Sequence, residues 1–339
     1  MAEFRSWRNA NRTPLKDVVP LDTPYNIHVE TSAVCNARCI YCGQRVRGAV
    51  QDGIMTMQMF RKILADAHCF PQKIKLLDMY YSGEPLCNPK FAEMVTIAKR
   101  EKIAEQIGVT TNGLLLTRQR VDEIIEAGLD VIRISIQGLD ASAYKRICGV
   151  NVDFDKFLSI LSYLYEHRKK CKVRMKIVDL AIKDIPNGEE IFKEMFGSIA
   201  DSIFVEKIIP IYSEVNYDGI DQSISRDAQN GRYGIKQEQV NTVCYRPFIK
   251  LLVAANGDVS AACCDHISGK DIIYGNIKDA NLVDLWNGMK HYSLMRMQLE
   301  GKRFQHPLCK DCVVPNDISA QEDLLDSYAG EILNRMKKL

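Results

Sequence analysis

The sequence has no apolar run long enough to cross a membrane, and its opening residues, MAEFRSWRNANRTPLKD, lack the apolar core of a secretion signal. A cytoplasmic protein with no membrane partner is therefore expected. Its formal net charge is only +2 over 339 residues, with no dense lysine or arginine run, so it carries no electrostatic footprint for nucleic acid. There is no low-complexity segment, no P-loop, no glycine-rich dinucleotide fingerprint after a strand and no HExxH pair. The familiar phosphate-cradling and zinc-hydrolase motifs are thus excluded.

What the chain does have is cysteine. There are twelve: three at positions 35, 39 and 42, five between 244 and 312, and four scattered. In a reducing compartment such numbers point to metal or redox chemistry rather than disulfides. The length suits one large barrel with a small appendage, or two ordinary domains.

Short β-rich runs alternate with amphipathic helical runs over the first two thirds of the chain. Strands are expected at Tyr25–Glu30, Lys75–Tyr81, Gln106–Thr111, Asp130–Ile136, Lys172–Leu180 and Ser202–Ile208. Six β-then-α units imply parallel strands, in a doubly wound sheet or an incomplete TIM-like barrel. The cysteine trio directly follows the first strand, where a barrel places its chemistry. Beyond about residue 235 the pattern changes: two strands meet at Asn256-Gly257, a hairpin signal, and a helix and the stretch PLCKDC follow. The expected divisions are an N-terminal extension (1–24), a partial barrel (25–235), a cysteine-bearing module (236–315) and a terminal helix (316–339).

A structural zinc site would need a fourth ligand beside Cys35, Cys39 and Cys42, and the sequence offers none nearby. Three thiolates would instead hold three irons of a 4Fe–4S cluster and leave the fourth open to an exogenous chelate. Cys35-x3-Cys39-x2-Cys42, with Tyr41 before the last cysteine, resembles the signature of radical S-adenosylmethionine (SAM) enzymes. The resemblance implies that SAM chelates the open iron and is cleaved reductively to a 5′-deoxyadenosyl radical. An external one-electron reductant, flavodoxin- or ferredoxin-like, would supply the electron. Further stretches match in order. Ser82-Gly83-Glu84-Pro85 resembles the family's GGEP motif, whose backbone and Glu84 would face the SAM ammonium. Asn112 ends the third strand, and Ser135 and Gln137 fall where the family meets the ribose or carboxylate of SAM.

The second cysteine group resembles a shortened SPASM module, the twitch domain, with one auxiliary 4Fe–4S cluster. Mapped by position, its ligands would be Cys244, Cys263, Cys309 and Cys312. Cys264 competes with Cys263, because Cys263 lies one residue further from Gly257 than the family pattern usually has. Spacing alone would equally suit a four-cysteine zinc site, the basis of a non-catalytic, zinc-stapled alternative. The fold class expected is α/β, a partial (β/α)6 TIM-like barrel with a C-terminal hairpin-plus-helix iron–sulfur module.

Strand alternation places Arg133, Ser135 and Gln137 opposite Ile132, Ile134 and Ile136, and so inward. By the same rule Arg174 and Lys176, Asn26, His28 and Glu30, and Asp78, Tyr80 and Ser82 share inward faces. Such charges serve function, sit at strand ends in solvent, or pair with one another. Glu30, Asp78, Arg133 and Lys176 are the candidate catalytic groups. Cys69, Cys87, Cys148 and Cys171 read as small core residues, and His68, His167, His266, His291 and His306 as surface or helix-end groups. The resemblance extends to the aminocyclitol and sugar-alcohol dehydrogenases of aminoglycoside antibiotic biosynthesis. It implies oxidation of a secondary alcohol on a polar small molecule, with radical epimerisation or peptide modification as alternatives. Only about two dozen residues precede the first barrel strand, too few for a leader-binding domain, which weakens the peptide alternative.

Overall fold

A computed structural model describes residues 2–4, 13–46, 53–226, 231, 241–262, 272–317 and 321–337. Among these residues ten strands form one sheet: β1 Glu3–Phe4, β2 Asn26–Val29, β3 Ile74–Asp78, β4 Ala104–Thr111, β5 Val131–Ile136, β6 Lys172–Val178, β7 Ser202–Glu206, β8 Lys250–Val253, β9 Asp258–Ser260 and β10 Ile273–Asn276. The order is β1-β7-β6-β5-β4-β3-β2-β8-β9-β10, parallel from β1 through β8 and antiparallel thereafter. The sheet does not close on itself. It is the partial barrel of a (β/α)6 fold.

The helices between strands follow from pattern and caps. Thr56, Thr117, Asp140 and Asp153 each accept a backbone N–H three residues on, starting the helices Met57–Ala67, Arg118–Glu126, Ala141–Cys148 and Phe154–His167. Each helix buries one face on the sheet; Phe60, Ile63 and Leu64 are examples from the first. On β5, Ile132, Ile134 and Ile136 are fully buried among them.

Four strands end earlier than their sequence pattern. β2 stops at Val29 rather than Glu30, β3 at Asp78 rather than Tyr81, β6 at Val178 rather than Leu180, and β7 at Glu206 rather than Ile208. Past β3 and β7, Tyr80, Tyr81, Lys207 and Ile208 become part of the rim of a cavity at the C-terminal strand ends.

The hairpin at Asn256-Gly257 is present, with Gly257 at φ +95. It does not form a separate sheet: β8 pairs in parallel with β2, so the C-terminal segment extends the barrel sheet. β1 likewise joins the opposite edge through β7. A second, smaller core gathers Leu15, Val19, Tyr245, Phe248, Leu299 and Ile332, packing the chain's first and last helices around the segment that carries Cys244. No helix among the described residues is long and apolar enough to cross a membrane.

Candidate active site

The loop after β2 carries the first cysteine trio and is fastened on three sides. Glu30 N–H donates to Val253 O at 2.9 Å, and Met55 N–H to Thr31 O at 3.0 Å. On the far side Arg38 N–H reaches Cys148 O and Ile40 N–H reaches Ile147 O, each at 2.9 Å. Glu84 N–H donates to Val34 O at 2.8 Å, so the loop after β3 lies against it. That crossing requires Gly83. A Cβ there would sit 2.3 Å from Ser32 O, which explains why the central position of the SGEP stretch has no side chain.

Cys35, Cys39 and Cys42 line a cavity of about 260 Å3 together with Tyr41, Ser82, Gly83, Glu84, Asn112, Ser135, Gln137 and Lys176. The expected SAM-contacting positions are thereby gathered around one space. Tyr41 Oη donates to Gln137 Oε1, tying the cysteine loop to the end of β5. Asn112 Nδ2 donates to Asn36 Oδ1 at 2.8 Å and lies 3.9 Å from Cys35 Sγ. Burial pushes the Cys35 thiol up to about 12. Cys39 is also raised well above the usual thiol range, by its contact with Cys148 and by burial.

Glu84 borders the cavity and is held at both carboxylate oxygens. Its Oε1 accepts from Thr111 Oγ1 at 2.5 Å and from Leu86 N–H at 3.1 Å, and Oε2 accepts from Asn112 N–H at 2.8 Å. The carboxylate ties the turn after β3 to the end of β4, and burial raises its pKa against these hydrogen bonds. Glu30 has a similar bracing position: it accepts from the Ser82 N–H at 3.1 Å and the Ser82 hydroxyl, and from Ala255 N–H at 3.2 Å.

Asp78 and Arg133 do not reach the cavity. They form a buried pair at 2.8 Å; Asn26 Nδ2 donates to Asp78 at 2.8 Å, and His28 Nε2 lies 3.9 Å from the same carboxylate, beyond hydrogen-bond reach. Burial alone would raise the Asp78 carboxyl, but Arg133, His28 and Asn26 bring it below its usual range. Burial pushes His28 down to about 3, so the ring is neutral. Of the four candidate catalytic groups, only Lys176 lines the cavity, and there it pairs with Glu206. Glu206, Lys207, Tyr212 and Tyr217 also line it. Sequence reading assigned them no role, because no motif marks them. The one signal was position, since Glu206 is inward-facing at the end of the last barrel strand.

Cys244, Cys309 and Cys312 converge at the second site. Cys244 N–H donates to Gln298 Oε1 at 3.2 Å, and Gln298 Nε2 lies 3.8 Å from Cys309 Sγ. Burial pushes the Cys244 thiol up to about 12, and the nearby Cys312 and Cys309 add to the rise. Cys263 and Cys264 lie outside the described residues. The chain just before them is placed, with Ala262 O accepting from Arg246 at 3.3 Å, two residues from Cys244. Among the other cysteines, Cys148 and Cys171 are buried as expected, whereas Cys69 is exposed. His291 is buried, not superficial, and holds Trp286 O and Pro247 O with its two ring nitrogens.

Among the described residues no three His, Cys, Asp or Glu side chains close on a single bare ion. Three thiols facing one cavity at wider spacing fit a polynuclear cluster. Family models decide the assignment: the radical SAM superfamily model matches residues 29–180, and the iron–sulfur cluster-binding SPASM domain matches 244–313. The chain is a radical SAM enzyme of the SPASM group. Its cofactors are accordingly 4Fe–4S clusters and SAM.

Among curated relatives, a tungsten-containing aldehyde ferredoxin oxidoreductase cofactor-modifying protein from Pyrococcus furiosus is 26% identical over 318 residues, 84% of this chain and 86% of its own. A GTP 3′,8-cyclase from Chlorobaculum tepidum is 28% identical over 183 residues, 53% of each chain. In fold, the chain resembles BtrN in complex with AdoMet and 2-DOIA (TM-score 0.55, 19% identity, 85% of this chain and 92% of that one). It also resembles anSMEcpe with bound AdoMet (0.59, 16%, 93% and 100%) and Streptococcus suis SuiB (0.59, 17%, 89% and 73%).

Proposed function

We propose that this radical SAM enzyme oxidises a secondary alcohol of a polar small molecule, of aminocyclitol or sugar type, to a ketone. One observation carries the reading: the cavity that holds the cysteine trio also holds the Lys176–Glu206 ion pair among tyrosines and serines. Hydroxyl and amino groups find both donors and acceptors there.

Cys35, Cys39 and Cys42 would hold the first cluster. The Ser82–Glu84 backbone, Asn112, Ser135 and Gln137 would hold SAM, and Cys244, Cys309 and Cys312 with Cys263 would hold the auxiliary cluster. When bound and reduced by an external one-electron donor, these groups supply a carbon-centred radical for hydrogen abstraction and an acceptor for the second electron. The protein's own part is placement, exclusion of water and a proton acceptor. Glu206, with Lys176 Nζ on its carboxylate, is placed to take the hydroxyl proton of the substrate. Tyr41 and Gln137 keep the cysteine loop against the strand ends, which prevents the reacting atoms from drifting.

A second reading makes the substrate a precursor of another enzyme's cofactor. It is favoured by the near full-length relation to the Pyrococcus furiosus cofactor-modifying protein. Product analysis separates the readings. A ketone formed with equimolar 5′-deoxyadenosine from an aminocyclitol or sugar alcohol supports oxidation. Solvent deuterium at one carbon with no ketone indicates epimerisation and overturns it. Turnover confined to a cofactor precursor favours the second reading.

A further inference from the structure

Cys148 ends the helix Ala141–Cys148, and its Sγ lies 3.5 Å from Sγ of Cys39. Two backbone hydrogen bonds hold the sulfurs together. Arg38 N–H on Cys148 O and Ile40 N–H on Ile147 O, both at 2.9 Å, clamp the loop to the helix end on either side of Cys39. Cys148 is fully enclosed, whereas Cys39 is half-buried and borders the cavity. An accessible thiol backed by an enclosed one is the arrangement of an attacking and a resolving cysteine.

We propose that Cys39 and Cys148 form a reversible disulfide in the cluster-free chain, a thiol–disulfide site that governs loading of the first cluster. The oxidant is a low-molecular-weight disulfide. Cys39 gives up its proton to solvent base as it attacks one of its sulfurs; the oxidant's S–S bond breaks, and one thiolate leaves to take up a proton. Cys148 then attacks Cys39 Sγ and displaces the second small thiolate, which takes the proton from Cys148. One S–S bond has formed and one has broken, the protein losing two electrons and two protons to the reagent. In that state Cys39 is unavailable to iron. Occupation of Cys39 by a cluster in turn protects the pair from oxidation. This inference goes beyond the substrate reading and does not depend on it.

The test uses the full cluster-free chain, incubated without oxygen at mildly alkaline pH with 2-hydroxyethyl disulfide, then alkylated and mapped by mass spectrometry. A cross-linked peptide pair joining Cys39 to Cys148, released by dithiothreitol, is the expected result. Iron uptake at the first site should be lost after oxidation and recovered after reduction. The Cys148→Ala variant should give no such cross-link and retain Cys39 as the mixed disulfide. The proposal is overturned if Cys148 stays alkylatable in the oxidised wild-type chain, or if Cys39 links instead to Cys35 or Cys42. Because the decisive map is made on the wild-type chain, a poorly folding variant would not spare the proposal.

Discussion

The same strand faces build two layers of opposite character. In the lower layer His28 on β2, Asp78 on β3 and Arg133 on β5 close on one another with Asn26, in a buried polar knot away from the cavity lining. Two residues further along each face, Tyr80 and Ser135 border the cavity and Glu30 braces Ser82 behind it, while Lys176 and Glu206 complete the lining. A step of two residues is about 7 Å along a strand. That distance separates charge that holds the barrel together from charge available to a substrate. Inward-facing polarity in a barrel therefore has to be sorted by height before it is given a role.

Substitution at each level should separate the layers. The largest effect is expected at the top: Cys35→Ala, Cys39→Ala or Cys42→Ala should abolish SAM cleavage and lower the iron per chain. The thermal midpoint of the cluster-free protein should hardly change. Glu206→Gln should reduce kcat by about a hundredfold, the low end for loss of a general base. Its hydrogen bond to Lys176 is retained, so the fold should survive, as circular dichroism on heating would show.

In the lower layer the order reverses. Arg133→Met leaves Asp78 charged and buried without its main partner, and should cost about 3–5 kcal/mol in denaturant unfolding. Adding Asp78→Asn should recover part of that loss. Lost SAM cleavage in a folded Arg133→Met protein would break the division between layers. Between the two effects lies Gly83→Ala, where the added Cβ meets backbone at 2.3 Å; about 1–3 kcal/mol is expected from overpacking, with weakened SAM binding.

A further effect concerns pH. His28 is buried neutral, with its folded pKa of about 3 below the ordinary 6.5. Between these values the unfolded chain binds more protons, so stability is complete above about 6.5 and is lost as pH falls toward 3. The depressed Asp78 carboxyl acts in the same sense at lower pH. His28→Gln should flatten the upper part of this slope in thermal melts between pH 6.5 and 4.5.

Where the sequence was informative, the information was local. The cysteine trio, the SGEP turn and the alternation of β5 each lie within a few residues, and short-range geometry fixes them. The six barrel strands were legible for the same reason. Tertiary placement decided the rest. Nothing near Glu206, Tyr212 or Tyr217 announces that these residues border the trio, and nothing in β8 announces that it pairs with β2. The Glu84 motif was visible, but its three hydrogen bonds to the β4 end and its own turn appear only once the loops are packed. Cys148 was passed over because a buried cysteine is ordinarily inert, and only its distance from Cys39 distinguishes it.

The central claim is that the upper layer, through its cysteine trio, makes SAM a source of carbon radical. The most direct measurement is 5′-deoxyadenosine formed by anaerobically reconstituted, reduced protein carrying about eight irons per chain, as two Cys-held clusters require. The wild-type chain should form it and Cys42→Ala should not. Equal formation by both, or none by the fully loaded wild-type chain, would contradict the account.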